Sequence, residues 1–432
     1  MSYDFLMVTG KSSNYLPRVA DEILAAKLAG SGGVIVEGPK ACGKTATSTQ
    51  LAQTVRLLDI DESFRRLFAL DPSLALSGNT PILLDEWQTL PEIWNHVRRE
   101  IDSRQRPGQF ILSGSAMPAE NAKGHSGLGR FARVRMRPMT GVERQVLPGG
   151  VSFRHLAAGG DLPLTQVEPL PVADLFEIIL HGGWPADHSA TAEAARNHVN
   201  DYVERLCAFD VFDAAGSRIR RPLGVRALLR SIARNAGQAP SLKTLTTDVA
   251  AQDGSVDPQT VSRWLEALLS LFVVESVEAW SPKLRSKATA RTSPVLYLAD
   301  SSLHASLLGA SVDTLLRDLN TAGFVFENYV YQQIATYAEA IEGRVMHYRD
   351  SNGKEFDAVV VLPDGSWLGV EVKLGEHRIE QGIAGLNATR NVVDTEVLGE
   401  PRALVLIVGG ADLAYTDRET GIKVVPIQAL AP

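Results

Sequence analysis

Gly38-Pro39-Lys40-Ala41-Cys42-Gly43-Lys44-Thr45 is the stretch that decides the fold. Ser31 to Glu37 ahead of it supplies a short apolar strand, and the chain beyond it to Ala52 reads as a helix. Strand, glycine loop and helix in that order make a phosphate cradle, because backbone N–H groups and the positive end of a helix converge on one anion. Gly38 and Gly43 permit the tight wrap. Lys44 is expected to reach the outer phosphates of ATP, and Thr45 to place its hydroxyl on Mg2+. All eight residues are nucleotide-binding candidates. Cys42 reads as a small residue that fits the loop, with a redox-sensitive thiol as the alternative.

About forty residues on, Pro81-Ile82-Leu83-Leu84-Asp85-Glu86 reads as a strand buried on both faces that ends in two acids. An acid at the carboxyl end of such a strand emerges where phosphates bind. Asp85 is the expected Mg2+ partner beside Thr45, and Glu86 the group that orients or deprotonates the attacking water. Gln88 is placed to reach the same water or the γ-phosphate. Phe110 to Ser115 forms another strand, which brings Ser113 or Ser115 near the γ-phosphate. Leu90 to Arg104 between the two strands fits the crossover helix that parallel pairing demands. Arg130 is a candidate arginine finger, acting in its own chain or in a neighbouring copy, so a homo-oligomer is an expected partner state. Arg133, Arg135 and Arg137 read as surface or interface groups.

At 432 residues the chain exceeds one comfortable core. The expected domains are 1–170, a P-loop ATPase; 171–295, helical and winged-helix-like; and 296–432, a separate α/β domain. Apolar residues make up 45%, which fits a folded chain. No stretch is apolar for long enough to span a membrane. Two cysteines and an N-terminus without an export pattern fit the cytoplasm. A net charge of −7 argues against a wholly basic surface but leaves room for a local nucleic-acid site.

In the middle segment, Arg226, Arg230 and Arg234 share one face of a helix from Leu223 to Ala236. Two capped helices follow, the second starting at Asp257-Pro258. A strand pair with a basic loop, Lys283 to Lys287, completes the winged-helix pattern. Its third helix offers Gln259, Ser262 and Arg263 to double-stranded DNA. A module used only to bind a protein partner is the alternative.

Near the C-terminus a hairpin turning at Pro363-Asp364-Gly365 sets Asp357 beside Glu371, with Lys373 on the same face. Two carboxylates and a lysine can hold a divalent metal and an activated water for phosphodiester cleavage. Glu327 adds a third carboxylate, and Gln381 approaches from the next helix. A surface strand with a cross-strand ion pair is the alternative.

Taken together, these pieces resemble a large group of prokaryotic ATP-binding proteins of the AAA type with a C-terminal domain of unknown function, DUF4143-like. The matching positions are Tyr15 and Arg18, Gly38 to Thr45, Leu84 to Gln88, Leu112 to Ser115 and His125 to Arg130. They continue with Arg135 to Met139, Gly182 to Pro185, Glu355 to Asp357 and Glu371 to Lys373. Ala41-Cys42 and Trp87 depart from the residues usual in the group, and both are expected to crowd the nucleotide region. The resemblance implies an α/β P-loop parallel sheet, a winged-helix segment and a restriction-endonuclease-like α/β domain. Three functions follow: an ATP hydrolase controlling a DNA- or partner-binding module, a nucleotide-regulated nuclease, and a non-catalytic ATP-binding regulator.

Overall fold

A computed structural model describes residues 15–114, 129–217, 220–281, 293–350 and 352–432. The chain separates into two compact units, Met1–Met136 and Arg137–Pro432.

The first unit opens with α1 (Val19–Gly30), β1 (Gly33–Glu37), α2 (Lys44–Leu51) and β2 (Thr54–Leu57). It continues with α3 (Glu62–Leu70), α4 (Pro72–Ala75) and β3 (Ile82–Asp85). The last elements are α5 (Ile93–Arg104), β4 (Phe110–Gly114) and β5 (Phe131–Arg135). All five strands run parallel in the order β2-β3-β4-β1-β5. Their aliphatic runs suit a sheet covered on both faces, and β3 and β4 are buried throughout. Parallel pairing sends Glu37, Asp85 and Ser113 to a single rim, with β4 lying between β1 and β3.

Phe64 and Phe68 of α3 and Val97 and Ile101 of α5 join Ile35 and Leu112 in the core. Each such side chain contributes roughly 1.5–3 kcal/mol by leaving water. Asp61 starts α3 by accepting from Phe64 N at 2.8 Å. Trp87 was expected to crowd the nucleotide. It belongs to this core instead, stacked on Trp94 at 5.4 Å, because its ring is too apolar to remain at a wet rim beside a buried sheet.

The second unit begins with β6 (Val151–Ser152), α6 (Phe153–Ala157) and β7 (Thr165–Gln166). Helices α7 (Val172–His181), α8 (Ala192–Arg205), α9 (Val211–Ala214), α10 (Pro222–Arg234), α11 (Leu242–Asp253) and α12 (Pro258–Ser270) follow. Ser241 and Asp257 cap α11 and α12 through their side-chain oxygens, as the sequence requires. Strands β8 (Val274–Val277) and β9 (Val295–Leu298) then pair antiparallel. The basic loop Lys283 to Lys287 lies outside the described residues.

Helices α13 (Ser301–Leu308), α14 (Val312–Arg317) and α15 (Leu319–Glu339) lead to the hairpin of the last domain. That hairpin joins β10 (Arg344–Arg349), β11 (Glu355–Val361) and β12 (Trp367–Leu374). The chain closes with α16 (Ile379–Arg390), α17 (Thr395–Leu398), β13 (Ala403–Gly409), β14 (Leu413–Thr416), β15 (Lys423–Pro426) and β16 (Leu430–Ala431). Seven strands make one mixed sheet, β10-β11-β12-β13-β15-β14-β7. Residues 137–170, placed with the nucleotide domain in the sequence reading, lie in this second unit. There β6 pairs with β16, and β7 with β14.

Two of the motif stretches act as internal ties. Gly183 N donates to Asp300 Oδ2 at 2.9 Å, Trp184 Nε1 donates to Ser302 Oγ at 3.1 Å, and Met139 N donates to Gly183 O at 2.6 Å. A side chain on Gly183 would strike Met139 O at 2.3 Å, which excludes any other residue there.

Arg137, expected at the surface or in an interface, is largely buried. Its Nε and Nη2 meet the two carboxylate oxygens of Glu275, each at 2.9 Å, and Nη1 reaches Glu339 at 3.3 Å. Tyr331 donates to Glu275 Oε2 at 2.9 Å. Burial opposes the guanidinium charge, but the two acids more than offset it and hold its pKa above the usual value. Removing one member of a buried pair strands the other. Arg137→Ala should therefore destabilise the second unit by about 3–5 kcal/mol in denaturant titration; an unchanged midpoint would contradict this role.

Candidate functional site: a phosphate loop facing a buried carboxylate

Gly43 stands at φ 101° at the head of α2, a left-handed conformation that favours glycine. Gly38 is required for space, since a Cβ there would lie 2.2 Å from Met136 O. Pro39 is buried, and Lys40 and Ala41 are exposed. Lys44 is buried, its ammonium donating to Gly38 O at 3.0 Å and Pro39 O at 2.8 Å. Cys42 is fully buried with Sγ 4.0 Å from Met136 O, which fits the space-filling reading.

Thr45 Oγ1 lies 3.0 Å from both oxygens of Asp85, and Ser113 Oγ donates to the same carboxylate. Ser113 and Asp85 are direct partners in the β3–β4 ladder. Burial pushes the Asp85 carboxyl up, the two hydroxyls pull it down, and Asp59 adds a raising field. A carboxylate and a hydroxyl at one rim form a hard oxygen donor set that suits Mg2+.

Glu86 sits next in the chain at φ 50°, ψ 42°, left-handed for a residue that pays roughly 1–2 kcal/mol for it. Backbone strain of this kind clusters at functional positions. Gln88 Nε2 donates to Glu86 Oε2, so Gln88 holds the acid directly. Gly114 makes room, because a Cβ there would lie 2.5 Å from Gln88 Oε1. Ser115 and His125 to Leu128 lie outside the described residues.

Arg130 does not join this rim. Its backbone oxygen accepts from Gly33 N at 3.1 Å, at the start of β1, whereas the phosphate loop follows the end of β1. Its side chain pairs with Asp102 at 2.6 Å. Parallel pairing puts the first residues of β5 at the opposite edge of the sheet, so Arg130 does not face the phosphates of its own chain. Arg135, at the other end of β5, is the ladder partner of Glu37.

Tyr15 and Arg18, which the sequence marks only as matching positions, touch the loop and the helix behind it. Arg18 Nη1 donates to Cys42 O at 2.9 Å, inside the loop. Tyr15 OH donates to Asp21 Oδ1 at 2.5 Å and lies 2.9 Å from Thr47 Oγ1 on α2.

In the second unit, Glu327, Asp357, Glu371 and Lys373 come together as a knot of three acids and one lysine, close enough for their charges to act on one another. One residue beyond the Ala358↔Val370 pair, the register sets Asp357 opposite Glu371. Asp357 Oδ2 accepts from Val372 N at 2.7 Å, Lys373 Nζ donates to Glu371 Oε1 at 2.5 Å, and Tyr297 OH donates to Glu327 Oε1 at 2.8 Å. Glu371 Oε2 is buried without a partner among the described residues. Gln381 is exposed. Among the described residues no group of three His, Cys, Asp or Glu is set to hold a metal ion. Protein donors already reach one oxygen of each of the three acids.

On α12, Gln259 and Arg263 are exposed and Ser262 lies 3.2 Å from Glu266. Of the three arginines expected to share a face, Arg226 pairs with Glu204 at 3.7 Å and Arg234 with Asp248 at 2.9 Å. That face is therefore part-neutralised rather than a basic stripe. No helix among the described residues is long and apolar enough to cross a membrane.

Residues 31–144 match the family model of an AAA domain, residues 172–314 a domain of unknown function (DUF8612), and residues 322–430 a domain of unknown function (DUF4143). Uncharacterized proteins of Mycobacterium tuberculosis and Mycobacterium bovis are each 25% identical over 349 residues, 79% of this chain and 70% of theirs. Among solved structures, a Walker-type ATPase of Pyrococcus abyssi has a TM-score of 0.42 at 13% identity, covering 69% of this chain and 97% of that one. AMPPCP-bound DnaA from Aquifex aeolicus has a TM-score of 0.28 at 12% identity, covering 58% of this chain and 86% of that one.

The acid knot gives a pH signature. Burial is the main cause that pushes Glu327 up to about 7 from an ordinary 4.5. Between those values the folded state binds more protons than the unfolded one, so its contribution to stability is lost as pH rises from about 4.5 to about 7. Glu327→Gln removes the titration but keeps an acceptor for Tyr297. Its unfolding midpoint should change less between pH 5 and pH 8 than that of the unaltered protein; identical profiles would remove Glu327 from the effect.

Proposed function

We propose that this chain, in which an AAA-type P-loop ATPase domain precedes a C-terminal DUF4143-like domain, binds ATP with Mg2+ and hydrolyses it. The nucleotide state then governs how the helical segment around α10 to α12 engages DNA or a protein partner. The observation that carries the reading is the Thr45–Asp85–Ser113 cluster placed at one rim with the phosphate loop and Lys44. Thr45 and Asp85 are the residues to hold Mg2+, which supplies positive charge against the phosphates when bound. Lys44 exchanges its two carbonyl partners for phosphate oxygens. The N–H groups of the loop and the N-terminus of α2 complete the cradle. Glu86, held by Gln88, accepts a proton from water, and Ser113 keeps Asp85 oriented.

Gln259 and Arg263, exposed on α12, support DNA as the partner, in the third-helix position of a winged-helix arrangement. A second reading, a nucleotide-regulated nuclease carried by Asp357, Glu371 and Lys373, is favoured by one feature: Glu371 Oε2 of the Lys373 ion pair, buried with no partner among the described residues. It ranks behind the ATPase because the other contacts of the knot are already made within the protein.

Lys44→Ala should weaken Mg-ATP binding on the order of a hundredfold, the weight of about 3 kcal/mol for charge-assisted contacts. Unchanged affinity by calorimetry would contradict the site. Glu86→Gln should keep binding and lower turnover by roughly 10²–10⁴; normal turnover would exclude Glu86 as the base. Duplex DNA added to the full chain should change the hydrolysis rate severalfold, and a rate indifferent to DNA would point to a protein partner.

A further inference from the structure

A loop that binds phosphate must turn its N–H groups inward, which sends its carbonyls outward. In a trans peptide the C=O and the following N–H point in opposite directions. Whatever holds a loop carbonyl on the outside therefore aims the next N–H at the ligand. Lys44 holds the carbonyls of Gly38 and Pro39 in this structure, and on the reading above it leaves them for the phosphates. The Cys42 carbonyl has a different partner, the Arg18 guanidinium at 2.9 Å, and that contact need not be given up.

We infer that Arg18 is a positioning residue for the triphosphate: by gripping Cys42 O it fixes the Cys42–Gly43 peptide so that Gly43 N–H faces the phosphate. This deepens the proposed ATP site and rests on it. The backbone at Gly43, at φ 101°, leaves that peptide dependent on an outside restraint, because glycine itself imposes little.

Arg18 is held in turn. It is 7% exposed, and its backbone N donates to Asp21 Oδ2 at 2.8 Å while Asp21 N donates to Arg18 O at 3.0 Å. The second oxygen of Asp21 takes Tyr15 OH, and Tyr15 OH meets Thr47 Oγ1 one turn into α2. The segment Tyr15 to Asp21 thus clamps both the loop and the first turn of the helix from outside. A rigid fork suits this task better than an ammonium, since its donors keep a fixed direction.

The test uses the full chain, with Mg-ADP and Mg-ATP as titrants. Arg18→Ala should raise both Kd values about tenfold and raise KM similarly, while kcat at saturation stays within about twofold. The Gly43 amide proton should shift on Mg-ADP addition in the unaltered protein and much less in this variant. Arg18→Lys should recover part of the affinity. Unaltered Kd values and an unaltered Gly43 shift in Arg18→Ala would overturn the inference. If that variant does not fold, Arg18→Lys carries the test, a severalfold loss of affinity supporting the inference and full affinity overturning it. Should the unaltered protein bind neither nucleotide, the ATP-site reading itself fails; binding there, lost in Lys44→Ala but kept in Arg18→Ala, overturns the positioning role alone.

Discussion

The first unit turns on one buried carboxylate. Asp85 ends β3 at the sheet rim and receives hydroxyls from two other elements, Thr45 from α2 and Ser113 from β4. Those bonds join the loop, the acid strand and the strand between them into a single construction. Burying an acid is costly without such partners. Its raised pKa reflects a charge that two hydroxyls satisfy only in part. An oxygen set of this kind suits a divalent cation.

Everything nearby serves the geometry of that rim. The parallel order β2-β3-β4-β1-β5 brings three strand ends to it, and aliphatic runs through β1, β3 and β4 make the sheet stiff enough to hold them. Glu86 accepts backbone strain, and Gln88 fixes the direction of its carboxylate. On the outer side, Arg18 and Tyr15 restrain the loop where its glycines cannot. The second unit places its charges differently. Arg137 with Glu275 and Glu339, and Lys373 with Glu371, satisfy one another inside. Such buried pairs are weak evidence for net stability, but breaking either one is destabilising.

The phosphate loop, the acid strand, the crossover helix and the place of Ser113 near a strand end were legible in the sequence because each depends on local pattern: glycine spacing, an aliphatic run, a hydroxyl at a strand end. The caps of α11 and α12 were legible for the same reason. Arg130 does not reach the rim of its own chain, because sequence proximity to the site does not say which edge of a sheet a strand enters from. Parallel pairing with β1 decides that, and it sends Arg130 to the far edge. Trp87 and Arg137 misled because burial is set by long-range packing, which neither local composition nor alternation reveals. Asp357 and Glu371 were correctly brought opposite each other by hairpin register, yet only three-dimensional contacts show how their oxygens are already engaged. Arg18 gave no local signal at all, since its partner is a backbone carbonyl 24 residues away.

The most direct measurement is a crystal structure of the full chain with Mg2+ and a non-hydrolysable ATP analogue. Thr45 Oγ1 and the Asp85 carboxylate should both turn to the cation, and the Lys44 ammonium should leave Gly38 O and Pro39 O for phosphate oxygens. A bound analogue lying elsewhere, with Thr45 still on Asp85 and Lys44 still on its own loop, would contradict the assignment.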